Sequence, residues 1–259
     1  MASLLCETDT RGVTTLTINR PERNNAFDDT LIEELIEALD KIERDDSIRV
    51  LLLRASGKHF CAGADLNWMR RMADFSADEN RADALHLANL LDRLNRLTRP
   101  VVAVIQGAAY GGGVGLAACA DIVLAYDKAV FCLSEVRLGL VPATIGPYVV
   151  NAIGPRAARR YMLSAEKFDA VEAQRIGLVH EVAAPTEIEM MLPRILDALL
   201  HGGPEAQAVA KSLIAQIAPL EDGLITKTAD IIAERRASAE GREGVKAFFE
   251  KRKPKWVES

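Results

Sequence analysis

The chain has 259 residues, is 49% hydrophobic and carries a formal net charge of −5 at pH 7. That acidic balance argues against a nucleic-acid surface. No apolar run is long enough to span a bilayer, and the N-terminus lacks the basic flank and long apolar core of a secretory signal. Cysteines scattered at positions 6, 61, 119 and 132 show neither metal-ligand spacing nor a disulfide framework. Reduced thiols in a cytoplasmic protein without a metal site are therefore expected.

In chain order, "VTTLTIN" (13–19) alternates β-branched and polar residues and stops at "RP", which predicts a strand and a turn. From Asp28 to Glu43, Leu31, Ile32, Leu35, Ile36, Leu39 and Ile42 recur at helical spacing, with Asp28 or Asp29 as the cap. "IRVLLLRA" (48–55) reads as an apolar strand continuous over its central "VLLL", the pattern of a strand covered on both faces. The glycine-bearing loop "SGKHFCAGADL" follows, and then a long polar helix carrying Leu85, Leu87, Leu90, Leu91, Leu94 and Leu97. Pro100 opens another buried strand, "VVAVIQG", which runs into "AAYGGGVGL" (108–116). A short helix "VGLAACA" and two strands, "DIVLAY" and "AVFCLS", come next. Beyond about residue 185 the pattern is helical. An α/β core over residues 1–184 that carries the site, followed by a helical region over 185–259, is the expected organisation.

Two loops share one design. In "FCAGADL" and "AAYGGGVGL" a buried strand enters a glycine-containing turn that opens a helix. The first N–H groups of a helix have no partner within it and carry the positive end of its dipole. Glycine there lets a ligand approach the main chain. If the turns lie side by side, one N–H from each converges on a single oxygen. Neither the phosphate-loop pattern nor the dinucleotide fingerprint is present. Taken singly, either loop is also explained by close packing of helix on sheet.

Six segments, "INRPERNNAF" (18–27), "HFCAGADLNWM" (59–69), "GAAYGGGVGLAACADIVLA" (107–125), "LSEVRLGLVP" (133–142), "AQRIGLVHEV" (173–182) and "EGVKAFFEKRKPKW" (243–256), resemble the enoyl-CoA hydratase/isomerase (crotonase) family in order and spacing. The resemblance implies a spiral of ββα units with a helical C-terminal oligomerisation region, assembled as trimers or dimers of trimers. It implies acyl-CoA thioesters as ligands, with coenzyme A as part of the substrate and no separate cofactor, metal, membrane or nucleic-acid partner. The oxyanion-binding amides map onto Ala64 and Gly112. Ala62 and the stretch Ala64, Asp65, Leu66 and Asn67 run beside the CoA, and Phe248 and Lys251 match positions where a neighbouring subunit closes over it. Glu135 matches one of the two glutamates of the family's hydratases, whereas Gly115 stands where the other would be.

A conjugated thioester is attacked at its β-carbon only if negative charge can collect on the carbonyl oxygen, and two fixed N–H donors in a dry site stabilise that enolate. A partly buried Glu135 would exchange protons near neutral pH; a pair with Arg137 is the alternative reading of that residue. With one glutamate missing, the chain is a single-glutamate isomerase, a hydratase whose water is held by Glu135 with donors near Ala143 or by the substrate itself, or a catalytically weak acyl-CoA-binding homologue. "ATIGPYVV" (143–150), in place of the glycine-rich turn of most members, is similar to the bacterial methylglutaconyl-CoA hydratase branch and its relatives acting on the isohexenyl analogue. Gly115 would then make room for a distal substrate carboxylate, or avoid like charges beside it. His59 is read as a capping or surface residue, with a CoA phosphate contact as the alternative. Asp65 is read as a holder of its loop, and Tyr148 and Ser134 as candidates for the acyl pocket. The basic "EKRKPKW" end is read as a solvated terminus or a CoA-phosphate contact.

Overall fold

The computed structural model describes residues 2–218 and 223–256. The α/β part begins with strands β1 (Leu4–Thr8) and β2 (Val13–Ile18), helix α1 (Asp29–Arg44) and strand β3 (Val50–Ala55). Helices α2 (Leu66–Ala73) and α3 (Ala77–Arg96), strands β4 (Val101–Ile105) and β5 (Ala108–Tyr110) and helix α4 (Gly112–Cys119) follow. The chain continues through β6 (Ile122–Tyr126), β7 (Val130–Cys132), helix α5 (Gly146–Ser164), β8 (Phe168–Asp169), α6 (Ala170–Arg175) and β9 (Glu181–Ala183). Four helices end it: α7 (Pro185–Leu200), α8 (Pro204–Ile217), α9 (Leu224–Ala237) and α10 (Ala239–Phe249).

One sheet has the order β1-β2-β3-β4-β6-β9, parallel throughout except for the antiparallel β1 edge, and a second has the order β5-β7-β8. The period of two along each strand explains the layers. Leu51, Leu53, Val101, Ala103, Ile105 and Val123 point into the main core, where α1 and α3 contribute Leu35, Leu39, Leu90 and Leu94. Their neighbours Val50, Leu52, Val102, Val104 and Leu124 face the other way, under Ile188, Leu192 and Leu196 of α7. Both faces are covered, as the apolar "VLLL" within 48–55 predicts.

The polar helix expected after the first glycine loop is two helices. Ser76 starts α3 with a reciprocal capping box to Glu79, so the chain stops and restarts there. Asp83 of α3 accepts the Trp68 indole N–H at 2.9 Å and the Arg236 guanidinium at 2.7 Å, which ties α2 and α9 together. Helix α10 packs on the turn at Glu135–Leu138: a Cβ at Gly244 would stand 2.3 Å from the Leu138 carbonyl, and Arg235 donates to the Gly139 carbonyl at 3.0 Å. The C-terminal helices thus brace the site from behind. No helix among the described residues is long and apolar enough to cross a membrane.

Candidate active site

The two glycine loops lie side by side. Cys61 N–H donates to the Ala108 carbonyl at 3.0 Å, and Tyr110 N–H donates to the Cys61 carbonyl at 2.9 Å. One step along, Phe27 N–H donates to the Gly63 carbonyl at 2.8 Å and Asp65 N–H donates to the Phe27 carbonyl at 2.6 Å. Groups alternate along extended backbone, so this pairing turns the intervening Ala64 N–H away from Phe27. It has no acceptor among the described residues. Asp65 then caps α2, accepting from Asn67 N–H at 2.8 Å and Trp68 N–H at 3.1 Å, the loop-holding part expected of it.

Each glycine of the triplet has its own reason. Gly111 sits at φ +50° and ψ −114°, backbone closed to other residues, and donates to the Cys132 carbonyl at 2.9 Å. A Cβ at Gly112 would stand 2.7 Å from the Phe27 ring, and one at Gly113 would stand 2.9 Å from the Cys61 Cβ. Both distances lie inside contact range, so side chains there would push the two turns apart. Gly112 is the first residue of α4, and its N–H has no acceptor among the described residues. Phe27, buried at 1% exposure, therefore pairs with Ala64 through its main chain and supports Gly112 with its ring. Nothing in the sequence alone marks Phe27 for this part. An apolar residue in a turn carries no periodicity, and only the glycine opposite it hints at its neighbour.

Parallel pairing of β5 with β7 aligns Tyr110 with Cys132 and delivers the residues after β7 to the triplet. Glu135 opens a 3-10 turn there, and its Oε1 is 3.0 Å from where a Gly111 Cβ would be. Its Oε2 is buried without a hydrogen-bond partner, and no ion pair to Arg137 or another described cation exists. Burial in this apolar setting pushes the carboxyl up to about 7; a contact with its own main-chain amide pulls weakly the other way. A carboxyl raised from its ordinary 4.5 favours the folded protein most below that value and loses the advantage as pH rises to about 7. Glu135→Gln is expected to melt higher than the parent at about pH 8, by roughly 3 kcal/mol at most, and the gap should close near pH 4.5. Equal melting temperatures at both pH values would mean the carboxyl is solvated.

Other expected positions separate into near and far. Ala62 donates to the Asn24 carbonyl at 3.0 Å, and Leu66 is exposed at the start of α2 beside Asn67. Phe248 and Lys251 lie at the outer end of α10, whose Phe249 packs under the Arg70 guanidinium of α2 at 4.5 Å. One expectation narrows and one needs correction. Of the donors near Ala143, the Ala143 N–H itself is committed to the Val141 carbonyl at 2.8 Å. Gly115 does not open a space: a Cβ there would be 2.5 Å from Ile145 Cγ2 and 3.4 Å from Leu91 Cδ2, so no room is left for a distal carboxylate. Buried Tyr148 lines a cavity of about 280 Å³ with Ala88, Asp92, Arg96, Thr144 and Thr228, which includes none of Ala64, Gly112 and Glu135. No cluster of metal-binding side chains occurs among the described residues.

Two unpaired main-chain amides and one partnerless acid near neutrality can stabilise an oxyanion and move a proton. The model of the enoyl-CoA hydratase/isomerase family matches residues 8–259. An enoyl-CoA hydratase structure from Shewanella pealeana is 43% identical, covers 98% of this chain and 96% of its own, and superposes with a TM-score of 0.81. The 1,2-epoxyphenylacetyl-CoA isomerase of Escherichia coli is 34% identical over 95% of both chains. The crotonyl-CoA hydratase of Syntrophomonas wolfei is 31% identical over 93% of both. This protein belongs to the enoyl-CoA hydratase/isomerase family, and its fold is the α/β crotonase fold.

Proposed function

We propose that this enzyme hydrates an α,β-unsaturated acyl-CoA thioester, with a branched dicarboxylic acyl group such as 3-methylglutaconyl or its isohexenyl analogue. The Ala64 and Gly112 amides stabilise the enolate oxygen, and Glu135 takes a proton from water as its oxygen adds to the β-carbon, then returns a proton to the α-carbon. The observation that carries the reading is the buried, unpartnered Glu135 Oε2 beside the glycine triplet. A second carboxylate at 115 is absent, and the Ala143 amide is committed within its own turn. A substrate carboxylate seated away from the packed space beside Gly115 would supply the water with a second acceptor. The apolar stripe of Val209, Leu213, Ile214 and Ile217, exposed on α8, supports a homo-oligomer; the trimer or dimer of trimers in this proposal rests on the family resemblance.

Named relatives include isomerases as well as hydratases, so the second reading is a single-glutamate enoyl-CoA isomerase. Turnover in heavy-oxygen water separates them. Hydration places the label on the β-hydroxyl, whereas movement of the double bond without label would replace the proposal with the isomerase. Crotonyl-CoA and 3-methylglutaconyl-CoA assayed together test the acyl group; equal turnover would remove the dicarboxylic preference.

Because Ile145 fills the space beside Gly115, Gly115→Glu alone is expected to overpack the core and cost about 1–3 kcal/mol. Adding Ile145→Ala should recover part of that loss and move preference toward crotonyl-CoA. An unaltered melting temperature for the single variant would mean that the space is open.

A further inference from the structure

We infer that His59 is a positioning residue: its neutral ring accepts a main-chain amide and so sets how the two amide-bearing turns lie against each other. Its Nδ1 accepts from the Ala108 N–H at 3.0 Å, across the seam between the loops. The same residue's carbonyl accepts from the Asn25 side chain at 2.7 Å. Phe60 N–H donates to the Gln106 carbonyl at 2.8 Å, and Cys61 N–H donates to the Ala108 carbonyl at 3.0 Å. The imidazole is therefore a side-chain link in a main-chain ladder whose last bond, Tyr110 N–H to the Cys61 carbonyl, lies next to Gly111 and two residues before Gly63. The fit is close: a Cβ at Gly107 would come within 2.7 Å of Nδ1.

An Nδ1 that accepts leaves the proton on Nε2. Protonating Nδ1 would set N–H against N–H and break the link. Burial, and then the neighbouring Lys58 charge, hold the ring below its ordinary value. The segments against it, Gln106 to Ala108 and Asn25, present no titratable side chain, and no carboxylate pairs with it among the described residues. The link is thus present above that lowered value and lost as pH falls through it. His180 accepts from Val123 N–H at 3.0 Å in the same manner, but on β6, away from both turns, and it serves as the control.

This inference rests on the proposed thioester site, so its test removes the Glu135 titration. In the full-length Glu135→Gln protein, butyryl-CoA affinity is measured by calorimetry at steps from about pH 8 down to the lowest pH at which the protein stays folded. With His59 present it should fall about tenfold by the lowest pH, the scale of one lost hydrogen bond. His59→Asn keeps an acceptor that cannot protonate, and should confine the change to about twofold, while His180→Asn should leave the tenfold fall in place. Titration of CoA itself is common to all three. An equal fall with His59→Asn, or no fall with His59, would overturn the inference. Failure to bind butyryl-CoA at any pH would instead count against the thioester site. Exchange protection of the Ala108 amide, corrected for intrinsic rate, then decides: protection that is acid-sensitive with His59 and insensitive in the His59→Asn variant upholds the link, and equal behaviour removes it.

Discussion

Replacing Glu135 by glutamine is expected to lower kcat by about 10²–10⁴-fold while acyl-CoA affinity stays nearly unchanged. Glutamine keeps the shape beside Gly111 but cannot give or take a proton. The parent needs the carboxylate to activate water, so its rate should rise with pH through about 7, the value to which burial pushes Glu135, and flatten above it. Initial rates of hydration across pH, followed by loss of the conjugated thioester absorbance, read both effects. A variant that keeps the parental kcat, or the parental acid limb, would show that Glu135 is not the proton carrier. An acyl-CoA-binding homologue without chemistry would likewise lose nothing measurable.

The second large effect concerns a donor that no side-chain deletion can reach. Gly112 opens α4, a position where proline is well tolerated because the N–H has no helical partner. Gly112→Pro removes that N–H, yet its Cβ also meets the Phe27 ring. Gly112→Ala carries the same Cβ and keeps the donor, so the difference between the two isolates the amide. The expected further loss in kcat from alanine to proline is about 10²–10³-fold. Equal kcat values in the two variants would remove Gly112 from the oxyanion site and leave only its packing against Phe27.

Much of this arrangement is legible in the residues. The apolar runs at 48–55 and after Pro100, and the spacing of Leu31 to Ile42, announce a doubly covered sheet and an amphipathic helix. Glycine before a helix, twice, announces main-chain donors. Other features depend on partners far away in sequence. Strand β5 has three residues, which read as loop until β7 pairs with them. Helix α5 contains Gly154 at φ +73° and Pro155, both helix breakers, so its sequence does not read as one helix. Strand β1 is exposed along most of its length and exists through pairing with β2. In the site, Glu135 and both donors follow from motif and resemblance. Phe27 and Ile145 do not, because what they fill is defined by the glycines at 112 and 115 facing them. The Ala143 amide is committed because its turn closes on Val141, two residues away, a contact that no periodicity in the sequence marks.

The most direct measurement is a crystal structure of Glu135→Gln with a bound 2-enoyl-CoA. The account predicts the thioester oxygen within about 3.1 Å of both the Ala64 and Gly112 nitrogens, with the side chain at 135 over the α- and β-carbons. An oxygen that meets one nitrogen or neither, or an acyl chain directed away from residue 135, would contradict it.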